Sequence, residues 1–197
     1  MKLLLASKST ARRRMLEAAG VRFETIESRA NEGDVKAELR RSGADPMAIA
    51  AVLAEAKALS TSAGREDLVL GSDQMLEQSD GSTLDKPTSR DEALAQLRAL
   101  AGKPHRLHSA AAIVEDGRLA WSKVETVTLH MRPLGDAFLD DYLDREYDSI
   151  RHGVGGYRIE GPGAQLFEQI DGSHFAVLGL PLLPLLDYLR ARGLLAR

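Results

Sequence analysis

The chain has no cysteine among its 197 residues, which removes disulfide frameworks, thiolate metal sites and thiol nucleophiles together. Aromatic residues make up only 5%, and no aromatic-rich basic stripe of the kind that stacks on single-stranded nucleic acid is present. Charge of one sign is equally scarce: a net charge of -3 gives no electrostatic footprint for long nucleic acid. Hydrophobic runs are short. Leu3 to Ala6 is too brief for a signal-peptide core, and the stretch from Phe175 to Leu189 is interrupted by Pro181, Pro184 and Asp187, short of the roughly 20 residues a bilayer needs. A cytoplasmic protein with no nucleic-acid and no membrane partner is therefore expected. There is no Walker A sequence, "GVGGYR" and "GPGAQL" lack the third glycine of a dinucleotide cradle, and neither H-E-x-x-H nor G-x-S-x-G occurs.

What is present fits one domain over residues 1–197, since apolar and charged fractions of 44% and 28% are those of ordinary globular chains. Lys2 to Ala6 reads as a strand buried on both faces, Arg12 to Ala19 as a helix stopped by Gly20, and Phe23 to Ile26 as a short strand. Residues 46–62 form a helix with an apolar stripe of Ile49, Val52, Leu53, Ala56 and Leu59. Leu68 to Leu70 is a strand ending at "GSDQ", which places Asp73 just beyond it. Ser89 and Glu92 form a capping box for a helix lined by Leu94, Leu97 and Leu100 and closed by Gly102. Arg106 to Met131 is a hairpin turning at "EDGR", Gly135 to Glu146 a helix, and Phe175 to Leu189 a strand, turn and helix. Glu27 to Asp34 and Gln78 to Thr83 read as loops. Crossovers mixed with hairpins predict an α/β fold with a mixed sheet.

Charged residues gather at the element ends. Arg12, Arg13 and Arg14 start a helix at the positive end of its dipole, where carboxylates are preferred, so an anion explains them better than solvent. Ser7, Ser9 and the backbone amides beside them suit the oxygens of a polyphosphate. Asp73, Glu32, Lys57 and Lys86 add two carboxylates and two more cations. That inventory suits hydrolysis of a phosphoanhydride, in which cations neutralise the phosphates, carboxylates hold a divalent metal and one carboxylate takes a proton from water. His105 and His108 lie near Ser109, but nearness in sequence does not make a triad.

Taken in order, "SKSTARR", Asn31-Glu32, "AEAKA", "GSDQ", "DKP", "GKPH", "GGYRIEG" and "VLGLPL" resemble the Maf family of nucleoside triphosphate pyrophosphatases over essentially the whole chain. The resemblance implies a single α/β domain of two lobes around a cleft, with a mixed central sheet flanked by helices, similar to inosine triphosphatases. It also implies a divalent cation, Mg²⁺ or Mn²⁺, a small-molecule nucleotide substrate and a homodimer. Asp73 would be the general base, Glu32 and Asp73 the metal ligands, and Lys57 and Lys86 catalytic cations. Ser7, Ser9, Arg12 and Arg13 would hold the triphosphate. Gln74 and Glu160 match the branch acting on 7-methylguanosine triphosphate, whereas the dTTP/UTP branch tends to carry Thr and Gln. Ala11 departs from that first branch, which places an aromatic there, and Asn31 stands where the family usually has Asp. A dTTP/UTP pyrophosphatase, and a non-catalytic nucleotide-binding protein associated with cell division, stay open as alternatives.

Overall fold

All four residues of β1 (Leu3–Ala6) are buried, because the strand is covered on both faces. In this computed structural model, which describes residues 1–61, 63, 64 and 67–196, the chain continues through α1 (Thr10–Ala18), β2 (Glu24–Thr25), α2 (Glu32–Arg41), α3 (Pro46–Leu59), β3 (Leu68–Glu77), β4 (Thr83–Leu84) and α4 (Arg90–Leu100). It then forms β5 (Pro104–Glu115), β6 (Arg118–Met131), α5 (Asp136–Ile150), a 3₁₀ turn (Pro162–Leu166), β7 (Phe167–Asp171), α6 (His174–Val177) and α7 (Leu182–Ala191). β1 is parallel to β2 and β3, while β3 with β4 and β6 with β7 are antiparallel. The fold is α/β with a mixed sheet. No helix among the described residues is long and apolar enough to cross a membrane.

Two compact units emerge: Met1–Gln74 with Ser109–Glu125 and Ser173–Arg197, and Met75–His108 with Thr126–Gly172. In the first, alternation along β1 divides the core. Leu3 and Leu5 join Leu16 of α1, Leu68 and Leu70 of β3 and Leu182, Leu185 and Leu189 of α7, whereas Leu4 and Ala6 join Ala58 of α3, Val69 and Val114. Strand side chains alternate faces and helical ones recur every turn, so helices of this pattern cover both sides. In the second unit, α4 packs on α5 around Leu97, Leu100, Leu139 and Leu143, all essentially sealed from solvent.

Several elements differ from the sequence reading. The stretch from Glu27 to Asp34 is not wholly a loop, because α2 begins at Glu32, with the Asn31 side chain accepting from the Asp34 amide. α3 ends at Leu59, and Ser62 lies outside the described residues. Its buried face is Ile49, Ala50, Leu53, Ala54, Lys57 and Ala58, whereas Val52 and Leu59 are exposed. Phe175 opens no strand: it lies in α6, and the last strand is β7. At α4, Ser89 accepts from the Glu92 amide as expected, but the Glu92 carboxylate turns back to the amide and hydroxyl of Thr88. The β5–β6 turn falls at Asp116 and Gly117, both at positive φ, as a tight hairpin requires.

Candidate active site

Ser9 caps α1 by accepting the Arg12 amide at 3.4 Å, and Ser7 Oγ accepts from the Ser9 amide at 3.2 Å. The first turn of α1 holds no acidic residue, so nothing in the helix itself offsets its positive end. Only one of the three arginines turns inward. Arg12 is 8% exposed; its Nε donates to the Gly179 carbonyl at 2.7 Å, and its Nη1 donates to the Ser72 carbonyl at 2.9 Å and to Ser7 Oγ at 3.3 Å. Burial lowers its pKa, and the charges of Asp73 and Glu32 act in the opposite sense. Arg13 is exposed beside Glu17 of its own helix, and Arg14 is exposed as well.

Asp73 is not beyond a strand, as the sequence suggested, but within β3. β3 runs on through polar residues because each side chain finds an internal partner. Ser72 Oγ donates to the Ala110 carbonyl at 2.7 Å, Lys57 Nζ donates to Asp73 Oδ1 at 2.6 Å, and Gln74 Nε2 donates to Ser109 Oγ at 2.8 Å. Lys57 and Asp73 are both nearly sealed from solvent, and the same ammonium meets the half-exposed carboxylate of Glu32 at 2.9 Å. One buried cation thus joins two carboxylates. A charge in such a place is tolerated only when paired and hydrogen-bonded.

This pairing depends on a glycine. A Cβ on Gly71 would lie 2.0 Å from the Ala54 carbonyl and 2.8 Å from the Ala58 amide, both on the backbone of α3. Gly71 lets the helix come close enough for Lys57 to reach Asp73.

The first unit therefore assembles Ser7, Ser9, Arg12, Glu32, Lys57 and Asp73, with Ala11 in the first turn of α1. Arg13 turns away from this group. Lys86 and Glu160 belong to the second unit, and both are exposed. Gln96 steadies the stretch around Lys86 by donating to the Asp85 carbonyl at 3.1 Å, and Pro87 is buried beside it. No triad forms around Ser109: His105 bonds Tyr157, His108 bonds Thr126 and Glu77, and Ser109 donates to the Ala176 carbonyl. "GKPH" and "GGYRIEG" thus meet in the core of the second unit, where Tyr157 also packs edge-on to Phe167. Sequence reasoning gave no structural role to Gly71 and Ser72 within "GSDQ", to Ser109, or to Gly179, whose only signal was a glycine set among apolar residues in "VLGLPL".

As a metal site, Glu32 and Asp73 supply hard carboxylate oxygens. Both carboxylates bond Lys57 Nζ, and among the described residues no group of three histidines, aspartates or glutamates converges. Chemically, a buried guanidinium and a buried ammonium are cations of the kind that stabilise an oxyanion, and a carboxylate is bonded to the ammonium.

Residues 2–192 match the family described as Maf-like protein. A nucleoside triphosphate pyrophosphatase from Sphingopyxis alaskensis is 46% identical over 98% of this chain and 98% of its own, and one of the same name from Roseobacter denitrificans is 48% identical over 99% and 98%. A 7-methyl-GTP pyrophosphatase from Rhizobium johnstonii is 47% identical over 98% of this chain and 96% of its own. A match that spans nearly the whole sequence places the chain in the Maf-like protein family.

Proposed function

We propose that the chain is a nucleoside triphosphate pyrophosphatase that hydrolyses its substrate to the monophosphate and pyrophosphate. The observation that carries this reading is the buried Lys57 held between Asp73 and Glu32, with the buried Arg12 in the same unit. Arg12, Ser7 and Ser9 hold phosphate oxygens, with Arg13 at the outer edge of the same turn, and Lys57 neutralises charge, the role that the family resemblance also gives Lys86. Asp73 bonds Lys57 through Oδ1; as general base it takes the proton of the water that attacks the α-phosphorus, and pyrophosphate leaves. Glu32 and Asp73 would hold Mg²⁺ or Mn²⁺, which supplies further charge neutralisation when bound. A non-catalytic binder would not need a buried carboxylate of this kind.

For the base, the proposed substrate is 7-methyl-GTP. Glu160 would accept from the N1 and N2 hydrogens of guanine, and a methylated base carries positive charge that favours an anionic partner. Ala11 provides no aromatic for that ring, which lowers the margin over pyrimidines by on the order of 0.5–2 kcal/mol. The test is a nucleotide panel read by pyrophosphate release, in which 7-methyl-GTP is turned over faster than UTP or dTTP at equal concentration. Faster cleavage of dTTP or UTP overturns the base assignment alone. Orthophosphate as first product overturns the pyrophosphatase reading.

A further inference from the structure

Glu32 reaches the buried ammonium of Lys57 from a helix that has no share in a core. α2 begins at Glu32, lies against α3 and buries none of its residues, so apolar packing does not fix where its first carboxylate stands. Polar bonds at the entry to α2 do. The Glu32 amide donates to the Ala30 carbonyl at 3.0 Å, and the Ala30 amide donates to Ser28 Oγ at 3.3 Å. Ser28 Oγ is 3.0 Å from Ser60 Oγ, which also accepts the Arg29 amide at 3.0 Å.

Ser60 is the C-cap of α3, and its hydroxyl donates to the Lys57 carbonyl at 3.0 Å. That carbonyl lies in the last turn of α3, where a helix runs out of its own donors. A hydroxyl has one hydrogen and two lone pairs. With its hydrogen on Lys57, Ser60 can only accept from Ser28 and Arg29, so Ser28 is the donor in the bond they share and the whole capacity of Ser60 Oγ is used. The bonds close a ring that starts at the Lys57 carbonyl, passes through Ser60, residues 28–30 and Glu32, and returns at 2.9 Å to the ammonium of the same lysine. Asp73 bonds that ammonium as well, at 2.6 Å.

We infer that Ser60 is a positioning residue: with Ser28 it ties the approach to α2 onto the end of α3, and so holds the Glu32 carboxylate on Lys57. This rests on the proposed place of Lys57, Asp73 and Glu32 in the reaction. Ser60 acts there through Glu32 alone.

The test uses the full chain and reads amide hydrogen exchange, urea midpoints and pyrophosphate release from 7-methyl-GTP and UTP. Ser60→Ala is expected to speed exchange at the Arg29 and Ala30 amides by about 3- to 10-fold, the worth of one hydrogen bond. It lowers kcat/KM for both nucleotides by about the same factor and leaves their ratio unchanged, because Glu32 is not placed on the base. Ser60→Thr keeps the hydroxyl and restores both quantities. Ser28→Ala moves them in the same direction and carries the test if Ser60→Ala does not fold. In a Glu32→Ala background Ser60→Ala takes nothing further from turnover and lowers the urea midpoint by less than it does alone, because the contact it maintains is already gone. Unchanged kcat/KM in Ser60→Ala overturns the inference, as do midpoint losses that simply add to those of Glu32→Ala. An unsubstituted chain that releases pyrophosphate from no nucleoside triphosphate overturns the pyrophosphatase reading itself, and exchange and midpoints still decide whether Ser60 holds Glu32.

Discussion

Replacing Gly71 by alanine tests whether the site rests on backbone proximity. The added Cβ would stand 2.0 Å from the Ala54 carbonyl, and relief to an ordinary 3.4 Å contact separates β3 from α3 by about 1.4 Å. Both neighbours are backbone atoms in a helix packed on the core, so no flexible side chain can yield. Overpacking of this kind costs typically 1–3 kcal/mol. The displaced helix also carries Lys57, whose bond to Asp73 is 2.6 Å long, and loosening a buried pair adds the penalty of a poorly matched charge, with outright removal of one partner costing about 3–5 kcal/mol. The expected loss is therefore on the order of 3 kcal/mol or more, read as a lower urea midpoint with unchanged slope. Pyrophosphate release should fall further than the unfolded fraction explains, since the folded molecules hold Lys57 out of place. A Gly71→Ala protein with the parent's unfolding midpoint and turnover would refute the argument that this close approach builds the site.

Asp73→Asn removes the proton acceptor while keeping the size of the side chain, so the protein should fold yet lose about 10²–10⁴ in turnover; near-normal pyrophosphate release would unseat Asp73 as general base. Excess chelator should abolish activity and added Mg²⁺ should restore it, and full turnover in chelator would remove the metal from the proposal. Burial holds the His105 pKa down at about 4 against 6.5 for a free imidazole, so the stability it contributes is complete above pH 6.5 and is lost as pH falls toward 4, at about 1.4 kcal/mol per pH unit. Urea midpoints measured across that window should fall less steeply for His105→Leu, and an unaltered slope would show that His105 is not responsible.

Where the sequence was legible, local rules and tertiary packing agreed. The apolar run of β1, the proline and capping signals around α4 and the turn at Asp116-Gly117 each specify their elements within a few residues. α2 was missed because it buries no residue; its support is an N-cap, acidic residues in the first turn and basic residues in the last, which leave no apolar stripe to read. In α3 the periodicity was visible but its phase was not. Alanines at positions 50, 54 and 58 face inward where β3 approaches, and a larger Val52 and Leu59 face out, so residue size misled where closeness mattered. α6 looked like a strand because four consecutive residues are too few to show a helical period.

The same difficulty governs the site. Three adjacent arginines are equivalent in composition, but successive helical residues point about 100° apart, so only Arg12 can meet both the Gly179 and Ser72 carbonyls, and Arg13 and Arg14 are left outside. Along β3 the alternation works the other way. Ser72 turns to the Gly179 carbonyl and Gln74 to carbonyls at the end of α6, and Asp73 turns to Lys57, so one short polar segment ties the strand to the turn that holds Arg12 on one side and pairs a carboxylate on the other. Each residue read singly could be a surface polar group. Their burial is what sets them apart, because a carboxylate, an ammonium and a guanidinium brought this far out of water are stable only when every one of them is bonded to another part of the same arrangement.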